Sequence, residues 1–385
     1  MKKTIKKILF LATVDSHIYY FHIPFMKLLR DMGYEVEVAC SNVGFTDKIE
    51  VEGFRVHNIP FSRNPLSISN IRSAIELYKL VKKENYIMLH THTPVASFIG
   101  RIVGRIAGIP HIVYTAHGFH FHEYGNPLMN LIYFHLEKFA GRFTDVLITI
   151  NTDDYKIAKE KKIVPNGKII YLKGVGVDTE KFKAESENLD KNFNVGKSFV
   201  FTSVGRMEKE KHFDHLLKAF YVVSQKNKNF ELVLIGDGKC YDSLRNLSYG
   251  LSLEDYIRFV GYLEDIKPYL GSSLAFVFTS SREGLPVSVM EAMAMEKPVV
   301  SYNIRGVRDL IEDGVNGFLV PFGDIEGLAD KIIYLMENPE VAKEMGKRGR
   351  EKIEREFSLN IILAQMKYIY KEILETQGQN FENEK

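Results

Sequence analysis

The chain lacks several features, and each absence excludes a class of protein. It has only two cysteines, Cys40 and Cys240, in 385 residues, which excludes a disulfide scaffold and a cysteine-rich zinc site and fits the reducing cytosol. It has no apolar run of about 18 residues, so no transmembrane helix is expected. Lys and Arg total 51 against 49 Asp and Glu, and this balance argues against a protein that coats nucleic acid.

The small net charge is divided unevenly between the two halves of the chain. Residues 1–190 carry 25 basic and 20 acidic side chains, whereas residues 191–385 carry 26 basic and 29 acidic ones. Chance explains so small a difference, since a few charges decide it. The alternative is that the first half faces an anionic surface or an anionic acceptor.

Apolar segments of strand length alternate with amphipathic helical segments along the whole chain. This alternation predicts the α/β class, with two doubly wound, Rossmann-like domains built on parallel sheets. In the first half, strands are predicted at Ile8–Thr13, Glu35–Cys40, Arg55–Ile59, Ile87–His90, His111–Thr115, Val146–Ile150 and Ile169–Leu172. In the second half, they are predicted at Phe199–Val204, Glu231–Ile235, Ile257–Val260, Leu274–Phe278, Pro298–Tyr302 and Gly317–Val320.

The polar stretch 178–197 has little apolar periodicity and predicts a break between the two domains. We expect an N-terminal domain at 1–180, a linker at 181–197, a second domain at 198–357, and a helix with a polar tail at 358–385 that packs back toward the first domain. Ligands of doubly wound sheets bind beyond the carboxyl ends of the strands. The cleft between the two domains is therefore the expected site.

The segment 280–298 holds the most informative residues of the chain. Glu283 and Glu291 are separated by seven residues, and Gly284 lets a ligand approach the backbone closely. The free N–H groups at the start of the following helix can hold a phosphate, and Glu291, two turns in, can accept bonds from sugar hydroxyls. Two solvated surface glutamates would explain the pair equally well.

A basic segment at 204–211 follows another predicted strand. Arg206 can clamp a diphosphate with two hydrogen bonds, and Lys211 adds a point charge. Glu208 and Glu210 are interleaved with them, so a solvated loop is the alternative. The position of this segment at the carboxyl end of a strand favours binding.

These segments together resemble the retaining, nucleotide-sugar-dependent glycosyltransferases of family 4, which have the two-domain GT-B fold. The resemblance covers most of the chain, and its most specific part is the Glu-x7-Glu pattern at Glu283 and Glu291. Further matches are the segment 205–220 with Arg206 and Lys211, the segments 232–238 and 313–320, and the segment 114–121 with His117.

The resemblance implies a role for each matching residue. Arg206 and Lys211 would bind the donor diphosphate and stabilise it as it leaves. Glu283 would contact the donor sugar near the reacting centre, and Glu291 would bind the ribose. His117 would lie across the cleft at the donor sugar. The remaining donor contacts would be Gly284 and Leu285 at the diphosphate or sugar, and Gly261 and Tyr262 at the base.

The chemistry of glycosyl transfer fits these groups. The reaction breaks a bond to a diphosphate through an oxocarbenium-like transition state, so cations placed at the leaving group lower the barrier. Many glycosyltransferases hold a divalent metal with an Asp-x-Asp motif, which is absent here, because Asp153 and Asp154 are adjacent. We therefore expect no metal and no other cofactor, and the nucleotide sugar is a substrate.

The chain departs from the family pattern after the first strand. Family members often carry a glycine-rich loop there, whereas the loop predicted at Thr13–Phe21 has no glycine. Asp15 and His17 are candidates for an acceptor contact or a base. A capped helix start, with Asp15 or Ser16 as the N-cap, is the alternative.

The first half is rich in histidine, at His90, His92, His111, His117, His120 and His122. Convergence of three or four of these side chains on a metal is one explanation. Histidines that line a cleft or pack in the core explain them better, because matching acidic ligands at helical spacing are missing. No Gly-x-Ser-x-Gly segment occurs, which disfavours a serine hydrolase.

Two stretches of the first half mix apolar and basic residues. The segment 97–110 places Arg101 and Arg105 four residues apart, and the segment 128–143 ends in basic residues. Buried crossover helices explain this pattern. The alternative is a face that lies on an anionic membrane surface.

The sequence thus predicts transfer of a hexose or an N-acetylhexosamine, with retention, from a UDP-linked sugar to a sugar or polyprenyl-diphosphate-linked acceptor. The expected process is bacterial surface polysaccharide synthesis, such as capsule or O-antigen, in the cytoplasm or peripherally at the inner face of its membrane. The alternatives are a GT-B-fold sugar-nucleotide epimerase and a non-catalytic nucleotide-sugar-binding module. The intact donor set argues against both.

Overall fold

The computed structural model describes residues 5–183 and 199–375, which form two compact α/β units. Unit 1 comprises Met1–Val175 and Asn360–Lys385, and unit 2 comprises Gly176–Leu359, as far as these ranges are described. Most of the linker expected at 181–197 lies outside the described residues. The predicted fold class, two doubly wound parallel sheets, is confirmed.

Unit 1 is built on seven parallel strands. They are β1 (Lys7–Val14), β2 (Glu35–Ser41), β3 (Arg55–Asn58), β4 (Tyr86–Thr91), β5 (His111–Ala116), β6 (Val146–Thr149) and β7 (Lys168–Tyr171). Their order in the sheet is β3-β2-β1-β4-β5-β6-β7. All residues of β1 from Ile8 onward are buried, because helices cover both faces of the sheet. The helices are α1 (Asp15–Phe21), α2 (Ile23–Asp31), α3 (Thr46–Val51), α4 (Ser69–Glu84), α5 (Pro94–Ala107), α6 (Pro127–Ala140) and α7 (Thr152–Glu160).

The segment after β1 differs from its prediction in two ways. The loop predicted at Thr13–Phe21 is wrong, because the chain turns into α1 at Asp15. The amphipathic helix that the sequence predicts at Phe21–Met32 is observed as α2, but it begins two residues later, because His22 separates it from α1. Pro24 has no N–H and cannot continue the hydrogen-bond ladder of α1, so the helix restarts. The short helix α3 was not predicted at all.

Unit 2 is built on six parallel strands. They are β8 (Phe199–Val204), β9 (Phe230–Ile235), β10 (Ile257–Gly261), β11 (Ala275–Phe278), β12 (Val299–Tyr302) and β13 (Gly317–Val320), in the order β10-β9-β8-β11-β12-β13. The sheet reverses its order beside its first strand, as dinucleotide-binding sheets do. Its helices are α8 (Phe213–Lys226), α9 (Tyr241–Gly250), α10 (Lys267–Ser272), α11 (Val287–Ala294), α12 (Val307–Leu310), α13 (Ile325–Glu337) and α14 (Pro339–Lys352).

The last described helix, α15 (Leu359–Glu375), belongs almost entirely to unit 1. Met366 and Tyr370 pack into the same apolar cluster as Ile8 and Phe10 of β1. The hydroxyl of Tyr370 lies 3.0 Å from Nδ1 of His90. The core of unit 1 is thus assembled from both ends of the chain.

Within residues 5–183 and 199–375, none of the helices combines the length and the apolar character that a bilayer crossing requires.

Candidate active site

The strand order of unit 2 reverses between β8 and β11, and the loops that follow these two strands lie side by side. Open parallel sheets bind ligands at such a reversal, beyond the carboxyl ends of the strands. β8 is followed by Gly205 and Arg206, and β11 is followed by a loop that leads into α11. The sheet therefore positions both predicted donor segments at one edge.

Hydrogen bonds fix the loop after β11 on the short 3-10 turn after β8. The hydroxyl of Thr279 donates to the carbonyl oxygen of Lys211 at 2.9 Å, and the N–H of Ser281 donates to the carbonyl oxygen of Glu210 at 2.8 Å. Nζ of Lys211 forms an ion pair with Oε1 of Glu283. The fold thus joins two predicted catalytic residues that are 72 positions apart in sequence.

A third segment, after β12, holds the same loop from another side. Nε of Arg305 donates to the carbonyl oxygen of Glu283 at 3.2 Å. Gly306 has a φ of +77°, and a Cβ there would lie 2.1 Å from the carbonyl oxygen of Gly284. Only glycine allows this close approach. Arg305 and Gly306 were missed from the sequence, and their place at the end of a parallel strand was the available signal.

The other predicted donor residues lie at the same edge of the sheet. Nη2 of Arg206 pairs with Oε1 of Glu208 at 2.9 Å, and the Arg206 side chain is 65% exposed. Gly261 ends β10, two strands away from β8, and Tyr262 beside it is exposed. Leu285 is buried. Arg206 is therefore accessible to a ligand, while Lys211 is already held by Glu283.

Glu291 lies in the second turn of α11, a helix that the sequence predicts at Leu285–Ala294 and that starts at Val287. Burial raises the pKa of its carboxyl to about 7, and the positive charge of Lys181 only partly offsets this effect. Such a carboxyl group is poised to change its charge near neutral pH, which is typical of functional sites.

Unit 1 collects five histidines at the carboxyl ends of β1, β4 and β5. Nδ1 of His92 lies 3.3 Å from Nε2 of His117, and the ring of His92 stacks on that of His22 with centroids 3.7 Å apart. The ring of His17 meets that of His117 edge-on at 4.8 Å. His90 packs beside His92 at 4.3 Å. The fold thus brings His117 together with His17, a predicted acceptor residue.

Burial keeps these imidazoles uncharged at neutral pH. It lowers the pKa of His117 to about 4 and that of His90 to about 3. The pKa values of His17, His22 and His92 are also lowered, by burial first and then by neighbouring histidines. The ring of His120 instead packs on Tyr133, and His111 opens β5 at the opposite edge of the sheet. The sequence grouping of histidines was therefore only partly correct.

Asp15 is fully buried and is occupied by its own unit. Its carboxylate accepts hydrogen bonds from the backbone N–H groups of Val43 and Phe45 and from the hydroxyl of Thr46. The cap of α1 is Val14, and no side chain caps the helix. Asp15 thus anchors the start of α3, and its carboxylate oxygens are engaged by groups of unit 1 itself.

Comparisons with known proteins bear on both units. Residues 7–151 match the family described as glycosyl transferase 4-like, and residues 184–352 match glycosyl transferases group 1. The chain is 34% identical over 373 residues to the putative glycosyltransferase EpsD of Bacillus subtilis, covering 95% of this chain and 96% of the relative. The chain belongs to the group 1, or GT4, glycosyltransferases.

Further relatives of this glycosyltransferase have more specific names. This chain is 31% identical over 353 residues to an Escherichia coli UDP-Gal:alpha-D-GlcNAc-diphosphoundecaprenol alpha-1,3-galactosyltransferase, covering 89% of this chain and 90% of the relative. The crystal structure of Anabaena Alr3699/HepE in complex with UDP shares its fold with a TM-score of 0.78 at 23% identity, covering 95% of this chain and all of that one. The predicted family, the GT-B fold and a retaining transferase are confirmed.

Glu291 gives the glycosyltransferase a predicted pH dependence of stability. Its neutral form is favoured in the folded state, so the stability that it contributes is present below about pH 4.5 and is lost as the pH rises to about 7. At pH 8 we expect Glu291→Gln to raise the free energy of unfolding by about 2 kcal/mol, discounted for partial exposure. At pH 4.5 the variant and the parent should be equal. Urea unfolding at both pH values measures this, and a constant difference would contradict it.

Proposed function

We propose that this enzyme transfers a hexose or an N-acetylhexosamine from a UDP-sugar to a sugar carried on a polyprenyl diphosphate, with retention, during synthesis of a surface polysaccharide. Unit 2 binds the donor and unit 1 binds the acceptor. The observation that carries the donor assignment is the ion pair between Lys211 and Glu283 at the strand-order reversal of unit 2.

The arrangement of unit 2 supports a division of roles around the leaving group. The ammonium group of Lys211 is held by Glu283, and the backbone carbonyl oxygen of Lys211 accepts a hydrogen bond from Thr279. The cation therefore needs no reorganisation when the diphosphate gains charge. Preorganised charge of this kind stabilises a transition state more than a ground state. Arg206, which is exposed, adds a second cation when the donor binds.

Glu283 and Glu291 have different roles in this proposal. Arg305 donates to the carbonyl oxygen of Glu283, and Gly306 packs against that of Gly284, which fixes the loop that would face the donor sugar. Glu291, in the next helix, would accept hydrogen bonds from the ribose hydroxyls, and its ionised form is the better acceptor. His117 is uncharged and would donate or accept a hydrogen bond at the sugar without adding charge.

The acceptor assignment rests on relatives and on the surface of unit 1. The name of the E. coli relative specifies a diphosphoundecaprenol acceptor. So does the name of a Campylobacter jejuni relative, to which this chain is 25% identical over 378 residues. In unit 1 the helix α6 exposes several apolar side chains, namely Leu128, Met129, Leu131, Ile132, Leu136 and Phe139. Such a face suits the surface of a bilayer that carries the lipid-linked acceptor.

The proposed reaction is tested with labelled UDP- and GDP-sugars and an undecaprenyl-diphosphate-linked monosaccharide. We expect label to pass from a UDP-sugar to the lipid fraction, with the anomeric configuration of the donor retained in the product by NMR. The Lys211→Met variant serves as the inactive control. Conversion of the donor to an epimer without acceptor, or donor binding without turnover over the whole set, would overturn the proposal.

The exposed face of α6 gives a prediction about membrane contact. Its charged neighbour Glu137 is turned toward Arg101, with Oε2 2.9 Å from Nη2, while Lys138 is exposed. The face is thus apolar with a basic margin, and we expect reversible binding to anionic vesicles that weakens as salt rises. A Leu131→Glu/Ile132→Glu variant should pellet at least about tenfold less with such vesicles, because it buries two charges in the interface.

The control is an Ile71→Glu/Ile75→Glu variant on α4, where two apolar side chains are similarly exposed. It should sediment with vesicles as the parent protein does. Equal pelleting of the parent with neutral, anionic and no vesicles would contradict membrane contact. Weaker pelleting of the α4 variant alone would show that α4, and not α6, contacts the membrane.

A further inference from the structure

The histidines of unit 1 form an arrangement of which the proposed transfer reaction uses only His117. We propose that His17, His22 and His117 bind a transition-metal ion of the Zn²⁺ class. One ligand nitrogen from each of the three lies within 4.8 Å of the others. The sequence led us to expect no metal, because it shows neither an Asp-x-Asp motif nor acidic ligands at helical spacing beside its histidines, and the site depends on the fold.

Two of the three imidazoles carry an atom with no hydrogen-bond partner. Nε2 of His17 and Nε2 of His22 are both buried, and neither has a partner among the described residues. A buried polar atom without a partner costs free energy, so each such atom in a folded protein needs an explanation. In the tautomer with its proton on Nδ1, each of these neutral imidazoles offers a lone pair at Nε2 that a metal ion can accept.

The elements that carry the ligands are suited to hold an ion. His17 belongs to α1, His22 directly follows it, and His117 follows β5. Tetrahedral Zn²⁺ with bonds of about 2.0–2.1 Å needs ligand nitrogens roughly 3.4 Å apart, so the side chains close by about 1 Å when the ion enters. His22 is only 3% exposed, whereas His17 and His117 are half-buried.

The donor set selects the kind of ion. The group contains three imidazoles and no carboxylate, and Arg63 acts on His17 as a nearby positive charge. Neutral nitrogen ligands are a poor site for Mg²⁺ or Ca²⁺, which prefer oxygen, and a good one for Zn²⁺, Co²⁺ or Ni²⁺, although the charge of Arg63 opposes any cation. Three protein ligands also leave one position open for water or a substrate oxygen.

His92 is a positioning residue of this site. Its Nδ1 contacts Nε2 of His117 at 3.3 Å, and its ring lies against that of His22. A metal-bound histidine commonly uses its second nitrogen for such a hydrogen bond, which fixes the ring orientation. Contact with two of the three ligands explains why a fourth imidazole is buried at this point of the core.

Unit 2 has a second group, His212, Asp214 and His215, whose potential ligand atoms are also close. Its atoms already have partners. Nδ1 of His215 lies 3.0 Å from the hydroxyl of Tyr302, and Oδ2 of Asp214 accepts from Lys218 at 3.1 Å. The unpartnered nitrogens therefore favour the group in unit 1.

The test is a titration of the full chain with Zn²⁺ after treatment with a chelator, followed by calorimetry. We expect one ion per chain. His17→Gln, His22→Gln and His117→Gln should each weaken binding by more than the about 10- to 100-fold that loss of a second-shell partner costs. His92→Gln should weaken Zn²⁺ binding by an amount within that range of about 10- to 100-fold. His135→Gln, an exposed histidine of α6, should bind as the parent does.

A spectrum of the Co²⁺-loaded parent protein keeps the test decisive if a buried histidine variant fails to fold. Four-coordinate Co²⁺ gives intense visible bands, whereas octahedral surface binding gives weak ones. No Zn²⁺ binding by the parent, weak bands only, or unchanged affinity in all three ligand variants would overturn the proposal. Loss of the ion in a His212→Gln/His215→Gln variant, with the unit 1 variants unaffected, would overturn it as well.

Discussion

Replacing Lys211 by Met should lower kcat for glycosyl transfer by about 10²–10³, the usual cost of removing one preorganised group that stabilises transition-state charge. The change removes the cation that Glu283 holds beside the loop after β11. Because the negative charge of the diphosphate grows as the glycosidic bond breaks, kcat and kcat/KM should fall together while KM for the donor changes little. Steady-state kinetics with saturating acceptor measures both constants.

The matched control is Lys209→Met. Lys209 lies in the same 3-10 turn but is exposed, and removing it takes away the same formal charge. Its kcat should stay within about threefold of the parent value, because an exposed charge is screened by water and salt. Equal losses in the two variants would mean that only the net charge of the turn matters, and the assignment of Lys211 would fail.

Gly346→Ala should destabilise unit 2 by about 3 kcal/mol. A Cβ at Gly346, inside α14, would lie 1.9 Å from the backbone carbonyl oxygen of Glu296, just beyond the end of α11. Backbone cannot move aside as a flexible side chain does, so the strain falls at the upper end of the usual range for overpacking. Because α11 carries Glu291, nucleotide affinity should fall as well. Thermal unfolding and calorimetric titration with UDP measure the two effects.

Gly349→Ala separates crowding from the general effect of alanine in a helix. Gly349 lies one turn later in α14, and its added Cβ would meet only side-chain atoms of Met293, 3.7 Å away. Both substitutions gain up to about 1 kcal/mol of helix propensity. Gly349→Ala should therefore be neutral or stabilising with unchanged UDP affinity. Destabilisation of the two variants by the same amount would show that the contact with Glu296 is unimportant.

The donor side of the site could largely be predicted from the sequence, for a physical reason. In a parallel sheet the residues after each strand reach one edge, so locating the strands also locates the functional loops. Phe199–Val204 was predicted with its observed bounds, and Arg206 and Lys211 were placed correctly after it. Because β8 and β11 are neighbours in the sheet, Lys211 and Glu283 come together. Arg305 and Gly306 also follow a strand, but the sequence does not show what they contact, because their contacts are made to backbone atoms of the loop after β11.

Only part of the histidine group of unit 1 could be predicted from the sequence. The sequence places His17 in a loop, whereas the structure places it in helix α1, and the sequence gives no role to His22. His92 and His117 were grouped with neighbours in the chain, of which His111 lies at the opposite edge of the sheet. Helix α1 has too few turns for a periodic pattern to reveal it. Asp15 secures it through bonds to residues about 30 positions away.

The return of α15 to unit 1 sets an order of events during synthesis. The core around Ile8 and Phe10 lacks Met366 and Tyr370 until the ribosome has made α15. All of unit 2 is made in the interval, which takes on the order of 10–40 s at about 5–20 residues per second. Unit 2 can therefore complete its fold first, while an apolar face of unit 1 stays uncovered until α15 packs on it. A nascent chain stalled before residue 360 would thus display, at its amino end, a surface for chaperones to bind.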